Sequence, residues 1–319
     1  MGSFCEEFDN VFKNVEYVLE HLKEHPDDDV ILYYPQEAHI IININGEFLF
    51  ESIHKFMSLH SIKNFTYVTG NFKCNEAYEL WRSEYNVTDD KFKIIIDNCF
   101  IYASVDDNVP SFHRIRRKYK YICLNNTGPP FRVELINRMY DRNLLDSGLY
   151  SFHQYGSGMH KDLYDKMPMI VDNPKLVNNH KANQNHIYTS SYFSIIPESV
   201  FARPSHLSVN NIKPYESWWR EGFITEKTFK AFFYLHPFIL VGASGGLEHV
   251  KSIGFKTFDG FINESYDKEH DGDKRMDLIM IEIERLCNMS LPELRRWYNY
   301  MSDILLYNQN HIIKLGNTR

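Results

Sequence analysis

The sequence predicts an α/β protein of two halves with a helical tail, and three observations predict it. Short apolar runs recur at VILYY (30–34), FTYVTG (65–70), KYICLNN (120–126) and FILVG (238–242). Longer stretches between them carry apolar residues three and four apart, the period of a helix packed on one face. The alternation pauses once, at the polar and basic stretch DDNVPSFHRIRRKYK (106–120), and then restarts. The boundary is placed near residue 115, giving domains 1–115 and 116–319.

In the first half, Phe8, Val11, Phe12, Val15, Val18, Leu19 and Leu22 mark a helix over 7–25, which PDDD (26–29) breaks. VILYY reads as a buried strand, followed by the loop PQEAH and the run HIIININ (39–45). Helices are expected over 48–62 and 75–85, with FTYVTG between them, and KFKIIIDNCFIYAS (91–104) reads as an apolar strand region. In the second half, KYICLNN is a strand, TGPP a turn and 131–145 a helix. Residues 148–185, rich in Gly, Pro, His and Asn, read as irregular loop. HIYTSSYFSIIPES (186–199) holds strand material and 200–221 is loop. Then come a helix opening at Thr225-Glu226-Lys227, the FILVG strand, a GASGG turn (242–246), a short helix (247–253) and two long helices, 273–289 and 290–315. Ser290 is placed to cap the last of these, with Pro292 in its first turn and Glu293 at the capping-box position.

Composition narrows the function. With 319 residues, 43% of them apolar, the chain can bury one large or two ordinary cores. A net charge of −7 opposes coating of nucleic acid by bulk electrostatics, although HRIRRKYK (113–120) is locally basic. Five scattered cysteines without a C-x-x-C fit neither a zinc site nor a disulfide framework, and Cys99 and Cys123 read as core thiols. No run reaches the length of a membrane helix and no secretory signal opens the chain, so a cytoplasmic protein without membrane contact is expected. The fifteen histidines show no paired ligand spacing, and the acidic run DKEHDGD (267–273) lacks the calcium-loop pattern and reads as a solvated loop. No metal or other cofactor is expected.

Three blocks of the second half occur in order: YICLNN…FR…DSG (121–148), YFSIIPES (192–199) and GFITEKTFKAFFYLHPFILVG (222–242). Together they resemble the donor-binding blocks of the α-1,3-fucosyltransferase family over about residues 118–262. TEK-containing proteins of this kind also occur among phage-encoded glycosyltransferases. The resemblance implies a GT-B architecture of two Rossmann-like domains, with the acceptor domain first and the nucleotide-sugar domain second, and metal-independent transfer from a nucleoside-diphosphate sugar, GDP-linked in the family. Two departures bear on the base and the sugar: Asn125 stands where the family has serine, and the asparagine of its Glu-Asn-Ser is missing, leaving Glu198-Ser199.

The chemistry of the residues agrees with such a ligand. A diphosphate needs cations and exposed N–H donors, and Lys227 in the first turn of a helix adds an ammonium to the positive end of the helix dipole. By resemblance Lys227 holds the diphosphate, Glu226 the ribose hydroxyls, Arg132 the second phosphate and Glu198 the sugar, with Thr225 and Asn126 in the same site. Taken alone, Thr-Glu-Lys would read as an ordinary helix start capped by Thr225. GASGG lacks the Lys-Ser/Thr of a phosphate loop and reads as a tight turn. The general base is expected in the first domain: Glu37, in the loop after VILYY, or His39. The acceptor is a hydroxyl on a glycan or small molecule. Alternatives are a hydroxylated base in DNA, contacted by Arg116, Arg117 and Lys118, and a nucleotide-binding module without catalysis.

Overall fold

A computed structural model describes residues 15–35, 49–88, 91–106, 108–126, 128–152, 156–166, 169, 185–201 and 221–317. The fold is mixed α/β with two parallel sheets. The chain forms two compact units, which part between Cys99 and Phe100, with Glu221 belonging to the first unit and Gly222 to the second.

The first unit holds a three-stranded parallel sheet in the order β1 (Val30–Tyr34), β2 (Phe65–Thr69), β3 (Phe92–Ile96). Val30 pairs with Phe65, and Phe65 with Phe92. Helices α1 (Val15–Glu24), α2 (Leu49–Leu59) and α3 (Cys74–Glu84) accompany it. Phe50, Ile53, Phe65, Tyr78, Trp81 and Phe92 form its core. The central strand β2 is buried throughout, as an apolar run in a parallel sheet should be. The expectation of full burial fails for VILYY, where Ile31 and Tyr33 are 60% and 53% exposed. Among the described strands it lies at the edge of its sheet and turns Val30 and Leu32 inward, so period two governs it rather than full burial.

The second unit is built on a four-stranded parallel sheet in the order β5-β4-β6-β7. Helix α4 (Phe100–Ser104) leads into β4 (Tyr119–Asn125), α5 (Pro130–Asp141) and β5 (Leu149–Phe152). Two short helices, α6 (Lys161–Tyr164) and α7 (Asn185–Ser190), precede β6 (Ser191–Pro197). Then follow α8 (Glu226–Phe233), β7 (Phe238–Val241), α9 (Gly246–Ser252), α10 (Gly272–Asn288), α11 (Leu291–Tyr300) and α12 (Ser302–Gly316). The chain leaves β4 toward β5 on one side and returns to β6 on the other, so the strand order reverses beside β4. In open α/β sheets ligands bind at the carboxyl ends of the strands next to such a reversal.

Several expectations are corrected. Residues 148–185 are not all loop: β5 lies within them, paired from Leu149 with Ile122 to Phe152 with Asn125. Its four residues, LYSF, are too short a run to announce a strand. Gly148 lets it approach, since a Cβ there would lie 2.4 Å from the Tyr121 ring. Residues 91–104 split into β3 and α4, where Ser104 Oγ donates back to Phe100 O at 2.7 Å. The helix expected over 290–315 is two helices separated at the buried Met301. Glu293 does close the capping box, accepting from both the N–H and the hydroxyl of Ser290 at 2.8 and 2.6 Å. Cys99 is only half-buried and donates to Pro35 O, whereas burial pushes the Cys123 thiol up to about 12.

Residues 100–115, placed above with the first domain, lie in the second unit. Gln309 Nε2 donates to Pro110 O and Arg295 Nη2 to Arg114 O, both at 2.7 Å, which ties this stretch to the tail. The basic run is not simply solvated. Arg117 is buried, donates to Ser191 O at 2.7 Å, and stacks over Tyr298 with its guanidinium carbon 4.2 Å from the ring centroid. It serves the core and is lost to any DNA contact. Among the described residues, no helix is long and apolar enough to cross a membrane.

Candidate functional site

The carboxyl edge of the second sheet gathers the ends of β4, β6 and β7 with the start of α8. That helix begins as its sequence dictates. Thr225 has extended backbone, with φ −106° and ψ −176°, and its Oγ1 accepts from Lys227 N, the arrangement of an N-cap. From Thr228 to Phe233 every residue is buried, so the helix is fixed by packing.

Glu198 follows β6, and its backbone N–H donates to Val241 O at 2.9 Å, continuing the β6–β7 ladder. Its side chain is fully buried and closes onto α8. Oε1 accepts from Thr225 N at 3.1 Å and from Thr228 Oγ1 at 2.6 Å. Oε2 accepts from Thr225 Oγ1 at 2.6 Å. Lys227 Nζ donates to the same Thr225 Oγ1 at 2.8 Å and lies 3.5 Å from Glu198 Oε2 and 3.8 Å from Glu226 Oε1. Its side chain keeps 29% exposure, against 0% for Glu198. Arg132, in the first turn of α5, is buried and donates from Nη2 to Glu198 O at 2.8 Å. Two carboxylates and two cations thus balance within one cluster. Four residues singled out from sequence, Arg132, Glu198, Thr225 and Lys227, are brought together, and Glu226 adjoins them.

Asn126 follows the end of β4 in a half-buried position. Its neighbour Asn125 is the more enclosed of the two. Asn125 N donates to Ser151 Oγ at 3.1 Å, Nδ2 donates to Cys123 Sγ, and Oδ1 is buried with no hydrogen-bond partner among the described residues. The loops after β4 and β5 touch at glycines: a Cβ on Gly128 would lie 2.8 Å from Gly156 Cα. Two members of the cluster escaped sequence reasoning. Thr228 supplies a hydroxyl one turn after Thr225, and the T-E-K-T spacing was its only signal. Gly242 leaves room for Glu198, whose Cβ would be 3.1 Å from a Cβ there. Glu37 and His39 lie outside the described residues.

The second strand-to-helix junction of this edge, GASGG, is a closed turn, as its sequence suggests. Gly245 has φ +78°, a conformation that favours glycine. Asp267 accepts from Leu247 N at 3.0 Å and Glu248 N at 3.2 Å, filling the start of α9. Arg275, fully buried, donates to Gly242 O at 2.9 Å, Ala243 O at 3.0 Å and Tyr266 O. Burial lowers the pKa of its guanidinium from the ordinary value. The acidic run is therefore not a solvated loop: Asp267 is buried, and Asp271 caps α10 by accepting from Lys274 N at 3.0 Å. Among the described residues, no group of three or more His, Cys, Asp and Glu side chains is arranged to hold a metal ion.

His236, just before β7, is also fully buried. Its Nε2–H donates to Ser191 O at 2.8 Å, and Nδ1 accepts from Ser194 Oγ at 2.6 Å. Burial, with Arg117 nearby, lowers its pKa to about 3, so the ring is neutral.

No family model matches the chain, and neither does any curated protein. Among solved structures it is similar to a chain described as "Crystal structure of GtfA/B complex", with 11% identity and a TM-score of 0.42. The match covers 94% of this chain and 59% of that one, so this chain spans about three fifths of its length. At that distance the likeness fixes no activity.

Proposed function

We propose that the chain is a glycosyltransferase that moves a sugar from a nucleoside-diphosphate donor to a hydroxyl. The observation that carries this reading is the Lys227 ammonium, part-exposed at the start of α8 and at the carboxyl edge of the sheet. Lys227 binds the diphosphate, with the buried Arg132 adding positive potential from behind Glu198. Glu226 and Asn126 are assigned to the nucleoside side of the donor. The acceptor belongs to the first unit in a GT-B arrangement, with Glu37 taking the hydroxyl proton and His39 as the alternative base. Displacement at the anomeric carbon needs only that base and a stabilised diphosphate leaving group, so a metal-independent reaction is proposed. A glycan or small-molecule acceptor is preferred to DNA, because Arg117 is spent inside the fold.

The test is a thermal-shift screen of GDP, UDP, ADP and dTDP, followed by transfer assays with the matching sugar nucleotides. A ligand that binds only the folded state at a hundred times its Kd stabilises by about 2.7 kcal/mol. The expected result is a clear shift with one diphosphate, none with its nucleoside at the same concentration, and sugar transfer that survives EDTA. Absence of any diphosphate-dependent shift removes the reading. Diphosphate binding without turnover of any sugar nucleotide leaves a binding module.

A further inference from the structure

We infer that Glu198 is a positioning residue for Lys227 and does not touch the ligand. This rests on the diphosphate reading of Lys227 and deepens it, because it reassigns a residue that the motif alone places against the sugar.

The geometry of Glu198 is that of an internal counter-ion. Its carboxylate is fully buried, and both oxygens are engaged by α8. Its main chain is held on both sides, by Val241 O at its N–H and by Arg132 Nη2 at its carbonyl. Gly242 packs close to its Cβ, where an added Cβ would lie 3.1 Å away. A group so enclosed has no face to offer a sugar.

What it does reach is Lys227, through a relay. Lys227 Nζ donates to Thr225 Oγ1, and the same hydroxyl donates on to Glu198 Oε2. The buried charge thereby holds the hydroxyl in one rotamer, and the hydroxyl holds the ammonium. The carboxylate also occupies the start of α8 by accepting from Thr225 N. An incoming anion is left with the part-exposed ammonium and not with that N–H. Glu198 is thus the internal ligand of the helix start, and Lys227 is the external one.

The consequence is a split between ligands. A residue that touches the sugar affects sugar nucleotides alone. A residue that positions Lys227 affects the diphosphate whether or not a sugar is attached, and leaves the free nucleoside alone. The experiment measures affinities of the full chain for the diphosphate that stabilises wild type among GDP, UDP, ADP and dTDP, for its sugar nucleotide and for its nucleoside. The variants are Glu198→Gln, Thr228→Val and Thr228→Ser. Expected for Glu198→Gln and Thr228→Val is a loss of about 10-fold or more, equal for diphosphate and sugar nucleotide, with nucleoside affinity unchanged. Thr228→Ser, which keeps the hydroxyl, restores binding to within about two-fold of wild type. If Glu198→Gln does not fold, the Thr228 pair decides by the same criterion. Loss confined to the sugar nucleotide makes Glu198 a sugar ligand and overturns the inference, as does equal tightening of both. If wild type binds none of the four diphosphates, the diphosphate reading falls and this inference with it, a result distinct from either of those.

Discussion

Two strand-to-helix junctions stand on the same edge of one sheet and use the same parts to different ends. At each, a buried carboxylate accepts backbone N–H groups around a helix start: Glu198 at α8 and Asp267 at α9. At each, a cation is close to that carboxylate: Lys227 at 3.5 Å and Arg275 at 3.8 Å. The difference lies in where the cation's donors go. Arg275 is enclosed, and its donors meet the carbonyls of Gly242, Ala243 and Tyr266, so the junction is a rivet. Lys227 Nζ donates to a hydroxyl and the side chain stays partly in solvent. A helix start attracts anions in either case. Whether it serves as a site depends on what the protein has already placed there.

The comparison breaks most decisively at the rivet. Arg275→Met leaves Asp267 buried without its cation and takes one donor from each of three carbonyls, and should cost about 3–5 kcal/mol in a urea or thermal unfolding measurement. Lys227→Ala is expected to behave oppositely. Stability should fall less than in Arg275→Met, because Lys227 is part-exposed and Glu198 keeps its three hydrogen-bond donors from Thr225 and Thr228. Diphosphate affinity should fall by about 1.5–3 kcal/mol, roughly 10- to 150-fold, with the free nucleoside unaffected. A Lys227→Ala protein as unstable as Arg275→Met would show that both junctions are rivets.

His236 sharpens the comparison from within the same sheet, as a buried ionisable group that stays neutral. The folded ring protonates only near pH 3, and the unfolded ring near 6.5. The unfolded chain therefore binds the extra proton between these values. Stability from this group is complete above pH 6.5 and falls as pH drops toward 3, by up to about 1.4 kcal/mol per pH unit. Burial raises the Glu264 carboxyl pKa and so pulls in the other direction, while His249, lowered to about 4, adds to the loss. The measurement is accordingly the difference between wild type and His236→Gln from pH 7 to 4.5, which should show a flatter dependence in the variant. Parallel curves would mean that the ring is charged in the fold.

The smallest expected effect is at the turn itself. Gly245→Ala meets no steric obstacle but must adopt φ +78°, at a cost of about 1 kcal/mol, and Gly245→Asn should cost less. Equal stability of both variants with wild type would show that the turn relaxes.

Strong local patterns were legible in the sequence. The runs VILYY, FTYVTG, KYICLNN and FILVG are all strands, and the helix starts at Thr225 and Ser290 follow their capping residues. The members of the site were legible as residue types in three ordered blocks. Their partnership was not: Glu198 and Thr225 are 27 positions apart, and no local pattern encodes that contact. Short β5 was missed because a four-residue strand takes its stability from pairing with β4 and not from its own composition. The reading of Arg117 as a DNA contact fails for a related reason. A basic run looks solvated until the carbonyl of Ser191 and the ring of Tyr298 gather around one of its members.

By itself, then, the sequence determined the alternation of strands and helices, the caps and the tight turn at GASGG, because periodicity and capping act over a few neighbouring residues. The tertiary structure alone decided which charges are inside. It sent the Glu198 carboxylate inward and left Lys227 at the surface beside it, and it enclosed Arg275, Asp267 and Arg117. Burial and counter-charge are set by distant segments meeting, and electrostatic energies depend on that enclosure far more than on the residue types themselves.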